Sequence, residues 1–506
     1  MAFETTDPAQ TIASCVSALK ARNVPILRWD CIRGLVSLNT TGNAFLATVA
    51  PVDKGGQEVT VDPVKCLELL AGYYAAFDNN ASRRGAINDA IIFYMNAQRF
   101  ISNAGVVQAL WNILDTFKSH GSTLVMLAPA MSLPAELTHD VVVVTEPLPT
   151  AEEVAKIVDS ITASANIESK VTAADKTKIV DTLLGLSSFA VEQVLAMSVT
   201  QGGFDRDELW ERKRKMIEQT SGLSVWKDKG SFDDIGGLAN IKGFLTKLLT
   251  SDKNPVRCIG FIDEIEKLFA GSQGDTSGVS QDQLRTLLTE MQDNNIPGII
   301  LLGPAGTGKS QIAKSAGAVA DAEVLNIDTG AMTGSLVGES QAKIRHAFKT
   351  LKAVSQGKSL LICTCNSIGS LPPELRRRFS LGTFFVDLPS AEERTAIWKI
   401  WLKKYGFASK VELPEDTDWT GAEIRACCDV AFRTNSTLVE ASTFIVPIAK
   451  SAADKIAALR QQAVGKFISA SKPGVYEYDP TNSASDAQAP TTSGRKFTFE
   501  SKKPSS

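Results

Sequence analysis

Residues 303–310, Gly-Pro-Ala-Gly-Thr-Gly-Lys-Ser, join three flexible glycines to a lysine and a hydroxyl. Glycine lets backbone N–H groups turn toward an anion, and the dipole of a following helix adds to the attraction. The apolar run before the segment and the helical pattern after it supply the strand and the helix that such a loop needs. The spacing therefore predicts a nucleotide phosphate-binding loop, made of Gly303, Pro304, Ala305, Gly306, Thr307, Gly308, Lys309, Ser310 and Gln311.

An acidic pair, Asp263 and Glu264, directly follows the apolar run at residues 258–262. Asp263 is predicted to hold Mg²⁺ together with Ser310, while Lys309 reaches the β- and γ-phosphates. Glu264 is predicted to orient and activate the attacking water. A solvated acidic turn at a strand end is the alternative, but a phosphate loop in the same region favours ATP hydrolysis with ATP and Mg²⁺ as ligands.

The chain alternates twice between an α/β pattern and a helical pattern. Short continuous apolar runs separated by helical periodicity predict buried parallel strands. The C-terminal segment is rich in Pro, Ser, Thr and Lys and has few aliphatic residues to offset its chain entropy. The predicted regions are an α/β domain at 1–150, a helical lid-like region or linker at 151–230, an α/β core at 231–389, a helical lid at 390–470 and a disordered tail at 479–506.

Two pairs of similar loops indicate that the halves share one architecture. Residues 132–137 and 370–375 both read Ser-Leu-Pro-x-Glu-Leu, and residues 148–153 and 388–393 both read Leu-Pro-x-Ala-Glu-Glu. Chance similarity is the alternative. The first half lacks a phosphate loop, and its apolar run ends at Asn96 without an acidic pair. It is therefore predicted neither to bind nor to hydrolyse ATP and to serve assembly or partner binding.

The second half resembles ATPases of the AAA family. The resemblance covers residues 232–450 and rests on Phe-Asp-Asp-Ile-Gly-Gly-Leu at 232–238, Val-Gly-Glu-Ser at 337–340, Asp-Glu-Ile-Glu at 263–266 and the segment at 366–379. It implies a P-loop NTPase fold with parallel strands in the order 5-1-4-3-2 and a small helical lid.

In this family the acidic strand follows the phosphate loop, whereas here it precedes it. The order predicts a circularly permuted AAA+ core with an ordinary three-dimensional site, in which the helix at 283–294 has moved together with the acidic strand. The plan of an inactive first half and an active second half is similar to plastid, cyanobacterial and phage-encoded AAA ATPases.

The resemblance also implies roles for residues outside the two motifs. Ile235 and Gly236 would contact the adenine, and Gly421 and Ala422 would lie in the lid near the nucleotide. Asn366 would be the sensor-1 group beside the γ-phosphate.

Family members hydrolyse ATP between subunits, with arginines supplied by the neighbour. Arg378 fits the second such arginine, whereas Arg376 and Arg377 both remain candidates for the first, because the usual Pro-Gly spacer is missing. Leu336 stands where protein-threading relatives carry a pore aromatic residue, which weakens the case for processive unfolding.

Composition bounds the partners and the compartment. The chain has 506 residues, a net charge of -3, eight scattered cysteines and three histidines. No apolar run is long enough for a membrane helix, and the first residues lack a secretion signal. Reduced cysteines in a bacterial or phage-infected host cytoplasm are expected. The basic run at 212–215 has glutamates around it, so a solvated helix face is favoured over a nucleic-acid contact.

Three functions remain open. The first is a ring ATPase, expected to be a hexamer, that remodels a protein partner. The second is a nucleic-acid-associated motor or loader, for instance in phage or host replication. The third is a nucleotide-dependent assembly scaffold with slow turnover. The near-neutral charge and the lack of a known nucleic-acid module argue mildly against the second.

Overall fold

The computed structural model describes two compact units. The N-terminal unit comprises Met1–Leu183 with Ser187–Leu209, and the C-terminal unit comprises Leu184–Leu186 with Trp210–Ser506. The described residues are 1–5, 7–50, 56–78, 89–129, 131, 133–219, 222–226, 230–253, 255–269, 279–332, 339–369, 371, 373–408, 410–478 and 495–498.

The N-terminal unit combines a main sheet with helices and a small hairpin. Its strands are β1 (Ala2–Glu4), β2 (Ile26–Asp30), β3 (Gly34–Ser37), β4 (Ile91–Tyr94), β5 (Thr123–Ala128), β6 (Val143–Thr145), β7 (Val199–Thr200) and β8 (Gly203–Phe204). Its helices are α1 (Pro8–Leu19), α2 (Thr40–Val49), α3 (Gly56–Val59), α4 (Pro63–Asp78), α5 (Ala104–Ser119), α6 (Ala151–Ser164), α7 (Ala173–Leu183) and α8 (Ser188–Ser198). Helix α9 (Arg206–Glu218) contains the division between the units.

The main sheet of the N-terminal unit has the order β3-β2-β4-β5-β1-β6. Strand β3 pairs antiparallel with β2, and the other pairs are parallel. The prediction of a wholly parallel sheet is therefore wrong at this edge, because the short connection from Asp30 to Gly34 turns the chain straight back. Trp29 and Tyr94 stack in the core with ring centroids 4.1 Å apart.

The C-terminal unit contains the predicted phosphate loop. Its strands are β9 (Leu223–Val225), β10 (Cys258–Ile262), β11 (Gly298–Leu302), β12 (Glu323–Ile327), β13 (Ser359–Cys365), β14 (Thr383–Phe385), β15 (Lys410–Leu413), β16 (Ile468–Ser469) and β17 (Arg495–Thr498). Its helices are α10 (Ala239–Leu249), α11 (Val279–Asp293), α12 (Lys309–Ala320), α13 (Thr329–Met332), α14 (Glu339–Ser355), α15 (Pro373–Arg378), α16 (Ala391–Tyr405), α17 (Gly421–Thr434), α18 (Leu438–Ser442), α19 (Ile448–Ser451) and α20 (Ala453–Ala463).

The main sheet of the C-terminal unit has the order β16-β14-β11-β13-β10-β12-β9. Only β9, at one edge, pairs antiparallel. Every residue of β10, β11 and β13 is buried. Their continuous apolar runs are typical of central parallel strands that are covered on both faces.

The two main sheets place corresponding strands alike but connect them differently. Numbered by position, β1, β2, β4, β5 and β6 of the N-terminal unit lie in the order 5-1-4-3-2, and the chain visits them as 1-2-3-4-5. In the C-terminal unit β11, β12, β10, β13 and β14 fill the same positions, and the chain visits them as 3-1-2-4-5. A circular permutation would preserve the cyclic order. That prediction is therefore wrong in the strict sense, and the observed difference is one displaced strand.

The repeated Leu-Pro-x-Ala-Glu-Glu segments adopt the same local structure in both units. Thr150 begins α6 and Ser390 begins α16, and each forms a capping box with the glutamate three residues later, Glu153 or Glu393. The reciprocal hydrogen bonds satisfy backbone donors that a helix start leaves free. Trp398, Cys427 and Cys428 form part of the buried core of the lid helices α16, α17 and α18.

The C-terminal segment predicted to be disordered contains one described strand. Strand β17 pairs antiparallel with β15, so that Phe497 lies opposite Val411 and Lys496 lies opposite Glu412. A short extended segment gains main-chain hydrogen bonds from an open sheet edge without needing a core of its own. The prediction of disorder is therefore wrong for residues 495–498. Among the helices described, none is long and apolar enough to cross a membrane.

Candidate nucleotide-binding site

The glycine-rich loop joins β11 to α12 and needs its glycines. Gly303, Gly306 and Gly308 have φ values of 151°, 79° and 92°. A side chain on Gly303 would bring its Cβ to 1.9 Å from the Val386 carbonyl oxygen. Gly308 is the N-cap of α12, and a Cβ there would meet nothing within 4 Å. The loop thus leaves open space at a helix N-terminus, as a phosphate group requires.

Lys309 points back into the loop that precedes it. Its Nζ donates to the carbonyl oxygens of Gly303, at 2.9 Å, and Pro304, at 2.6 Å. The side chain is 6% exposed, and burial lowers the pKa of Lys309 to about 8. A phosphate beside this ammonium would favour its charged form.

The acidic strand and the phosphate loop meet in space despite their order along the chain. Strand β13 lies between β10 and β11, and Asp263 follows β10 directly. Ser310 Oγ donates to Asp263 Oδ1 at 3.0 Å. The predicted magnesium ligands are therefore neighbours. A hydroxyl and a carboxylate beside an open loop suit Mg²⁺, which prefers oxygen ligands and keeps several waters.

Glu264 contacts the predicted sensor residue. Asn366 Nδ2 donates to Glu264 Oε1 at 2.9 Å, and Asn366 N donates to Glu266 Oε1 at 2.9 Å. Lys267 forms an ion pair with Glu264. The backbone of Glu264 has a φ of 49°, in the left-handed region that few residues other than glycine adopt.

Thr364 is a site residue that the sequence reasoning missed. It is 1% exposed on β13, and its Oγ1 contacts both acidic residues. Side chains alternate along a strand, so Thr364 shares a face with Asn366 two residues later. That alternation was the available signal.

The residues expected near the base and the lid lie close to the phosphate loop. A Cβ on Gly236, next to the buried Ile235, would lie 2.5 Å from Ile397 Cγ1. A Cβ on Gly421 would lie 3.8 Å from both Ile397 Cδ1 and the Gly306 carbonyl oxygen. A further contact joins the lid to the loop, since Ala422 N donates to that oxygen at 3.2 Å.

The three consecutive arginines differ in their surroundings. Arg376 is half-buried, with its guanidinium carbon 5.9 Å from the centroid of the Phe467 ring. Arg377 and Arg378 are exposed at the end of α15. The predicted pore position, Leu336, lies outside the described residues, as do Val337 and Gly338.

In the N-terminal unit, a carboxylate stands at the position that corresponds to the phosphate loop. Strand β1 corresponds to β11, and α1 begins at Pro8, soon after β1 ends. Asp7 Oδ1 accepts from Gln10 N at 3.1 Å, so it caps α1. Asp7 Oδ2 accepts from Phe189 N, in the first turn of α8, at 3.1 Å. One acidic side chain thus occupies the N-termini of two helices.

Three family models match the chain. The model for the N-terminal domain of SpoVK-like AAA ATPases matches residues 1–146, and the model for their second domain matches residues 152–220. The model for the ATPase family associated with various cellular activities (AAA) matches residues 299–359. With the α/β core, phosphate loop and lid described above, these matches place the chain in the AAA+ family of P-loop ATPases.

The chain is also similar to plastid-encoded AAA proteins, as the sequence predicted. It is 27% identical over 362 residues to the uncharacterized AAA domain-containing protein ycf46 of Gracilaria tenuistipitata var. liui, covering 62% of this chain and 66% of that relative. It is 24% identical over 424 residues to ycf46 of Guillardia theta, covering 72% and 77%. The alignment thus spans just under two thirds of the first relative.

Two more distant likenesses concern smaller parts of the chain. A katanin p60 ATPase-like protein of Xenopus laevis is 28% identical over 151 residues, covering 26% of this chain and 30% of that protein. A crystal structure of the FIGL-1 AAA domain is 19% identical and covers 49% of this chain and 94% of that domain, with a TM-score of 0.30.

Proposed function

We propose that the protein hydrolyses ATP and couples hydrolysis to the remodelling of a protein partner. The observation that carries the proposal is the hydrogen bond of 3.0 Å from Ser310 Oγ to Asp263 Oδ1, which joins the phosphate loop to the acidic strand. Glu264 follows Asp263 directly, and Asn366 contacts its carboxylate. The four residues form a compact set suited to phosphoryl transfer to water.

Each group of the set has a role in the proposed reaction. The loop N–H groups and Lys309 bind the β- and γ-phosphates, and Ser310 and Asp263 would hold Mg²⁺. When bound, that ion neutralises charge on the phosphate oxygens. Glu264 accepts a proton from the water that attacks the γ-phosphorus, and the bond to the ADP oxygen breaks.

The base and the neighbouring protomer complete the proposed site. Ile235, Gly236, Gly421 and Ala422 bind the adenine side of the nucleotide, and their proximity to the loop supports this role. The exposure of Arg377 and Arg378 favours these two as the arginines that act on the next protomer of a ring, which we infer to be a hexamer.

We infer that the N-terminal unit neither binds nor hydrolyses ATP and serves assembly or partner binding. Its position equivalent to the phosphate loop carries Asp7, whose charge would repel a phosphate group. The sequence boundaries at 150, 230, 389 and 470, a displaced strand–helix unit and a cytoplasmic location belong to the same proposal.

A nucleic-acid motor is the less favoured alternative. The basic run at 212–215 lies on α9, where Lys213 is 3% exposed. Arg214 forms ion pairs with Glu211, at 2.7 Å, and with Glu218, at 3.0 Å. A helix whose basic groups are buried or paired has little charge left to attract phosphates.

Stimulation of ATP hydrolysis separates the candidate functions. We expect an unfolded protein such as casein to raise the steady-state rate, whereas single-stranded DNA and RNA leave it unchanged. Lys309→Ala is the control for contaminating ATPases. Stimulation by nucleic acid alone would contradict the proposal, and a slow rate that no polymer changes would favour the assembly scaffold.

A further inference from the structure

The hydroxyl group of Thr364 is shared between the two acidic residues of the site. Thr364 Oγ1 donates to Asp263 Oδ1 and accepts a hydrogen bond from Glu264 N at 2.8 Å. Its one proton is directed to the carboxylate, and its lone pair receives the backbone N–H. A single side chain therefore links the proposed metal ligand to the backbone of the proposed general base.

The position of Thr364 makes this link stiff. The residue lies on β13, a central strand of the main sheet, and is 1% exposed. A β-branched side chain has few rotamers available, and buried neighbours restrict it further. Its hydroxyl group is therefore held at a fixed place on the strand that also carries Asn366.

Glu264 needs such a link because its backbone is strained. Its φ of 49° lies in the left-handed region, and surrounding contacts must hold a glutamate there. Thr364 fixes the backbone N–H of Glu264, and Asn366 contacts its carboxylate at 2.9 Å. The same strand thus holds Glu264 at both ends.

The contact to Asp263 orients that carboxylate. Asp263 Oδ1 accepts from both Ser310 Oγ, at 3.0 Å, and Thr364 Oγ1. Two hydroxyl donors on one oxygen fix the rotation of the carboxylate, and groups that orient a metal ligand affect metal affinity.

We propose that Thr364 is a positioning residue for ATP hydrolysis, which holds Asp263 toward Ser310 and fixes the strained backbone of Glu264. This inference rests on the proposed function. The Thr364 hydroxyl bonds to the two acidic residues, whereas the phosphates would be held by the loop and Lys309. Its loss should therefore affect turnover and the Mg²⁺ requirement more than ATP binding.

Two substitutions at Thr364 test the role. Thr364→Val keeps the branched shape and removes the hydroxyl, whereas Thr364→Ser keeps the hydroxyl. We expect Thr364→Val to lower kcat at least about tenfold, as the loss of hydrogen bonds to a charged group implies, and to leave KM for ATP within about twofold. The Mg²⁺ concentration for half-maximal rate should rise, and Thr364→Ser should restore most of kcat.

A matched control separates this role from a general effect of removing a buried hydroxyl. Thr350 is 6% exposed, and its Oγ1 donates to the His346 carbonyl oxygen within α14 at 3.0 Å. Thr350→Val makes the same chemical change away from the site, so kcat should stay near the wild-type value.

Hydrogen exchange of the nucleotide-free protein provides a readout that does not depend on activity. The Glu264 amide should exchange faster in Thr364→Val and at the wild-type rate in Thr364→Ser. Wild-type kcat together with unchanged exchange in Thr364→Val would overturn the inference. If the wild type hydrolysed no ATP, the proposed function would fail, and the exchange experiment would still decide whether Thr364 holds Glu264.

Discussion

Lys309 illustrates at the residue scale how a binding site can cost stability. Its ammonium group is buried and donates to two backbone carbonyl oxygens, those of Gly303 and Pro304. Burial disfavours the charge, which is why the pKa of Lys309 falls to about 8. Bound phosphates would offset this penalty, because a nearby negative charge favours the ammonium form.

We therefore expect Lys309→Met to separate stability from binding. With EDTA present, the variant should melt at or above the wild-type temperature at pH 7, because an apolar side chain removes the buried charge. ATP with Mg²⁺ should raise the melting temperature of the wild type but not that of the variant. Differential scanning calorimetry measures both. A variant that melts lower without nucleotide would contradict this view of Lys309.

The pH dependence has a definite sign. The folded-state pKa, about 8, lies below the ordinary value of 10.5. The unfavourable contribution of Lys309 is therefore fully present below pH 8 and is relieved as the pH rises toward 10.5. The difference in melting temperature between Lys309→Met and the wild type should shrink between about pH 7 and about pH 9.5. A constant difference over this range would exclude Lys309 as its source.

At the scale of elements, Asp7 connects two helices of the N-terminal unit. It caps α1 through Oδ1 and accepts from the first turn of α8 through Oδ2. Carboxylates at helix N-termini are stabilising because they satisfy free N–H groups and complement the helix dipole. The residue thus links the sheet-side helix to the lid-like helices without a nucleotide.

We expect Asp7→Ala to destabilise the N-terminal unit by about 1 kcal/mol or more, the typical effect of losing an N-cap. The Phe189 amide should exchange its hydrogen faster. Asp7→Asn is the matched control, because asparagine still caps α1 through its one carbonyl oxygen but cannot accept from both helices. Hydrogen exchange of the α8 amides measures the difference, and unchanged exchange in Asp7→Ala would show that Asp7 does not hold α8.

Local chemistry decided which elements the sequence could predict. The buried strands β10, β11 and β13 are continuous apolar runs, and the phosphate loop is defined by its glycines, so both were predictable. The hairpin strand β3 and the terminal strand β17 were not, because antiparallel pairing at a sheet edge depends on what else occupies that edge. Thr364 was missed because a threonine on a strand has no distinguishing pattern until the neighbouring strand is placed beside it.

At the scale of the whole molecule, the shared strand order of the two units separates architecture from connectivity. Strand β10 fills the third position in its sheet, although the chain reaches it before β11. The packing of a strand depends on its two neighbours in the sheet, whereas its place along the chain depends only on the loops. The site therefore forms from segments in an unusual order.

A ring assembly predicts that two inactive variants complement each other. Glu264→Gln lacks the general base but keeps its arginines, and Arg378→Ala lacks one arginine but keeps Glu264. Mixed rings should regain part of the wild-type ATPase rate, because some interfaces then combine an intact base with an intact arginine. Arg376→Ala is the comparison, since its packing on Phe467 implies a smaller effect on rate. Absence of recovery in rings shown to have exchanged protomers would contradict action between them.

The most direct test of the central claim is steady-state ATP hydrolysis by the wild type beside Glu264→Gln, with Lys309→Ala as the background. If the acidic strand that precedes the phosphate loop builds a working site, Glu264→Gln should lose at least about 100-fold in kcat. It should still bind ATP, because the loop and Lys309 are unchanged. Equal rates in the wild type and Glu264→Gln would contradict the account.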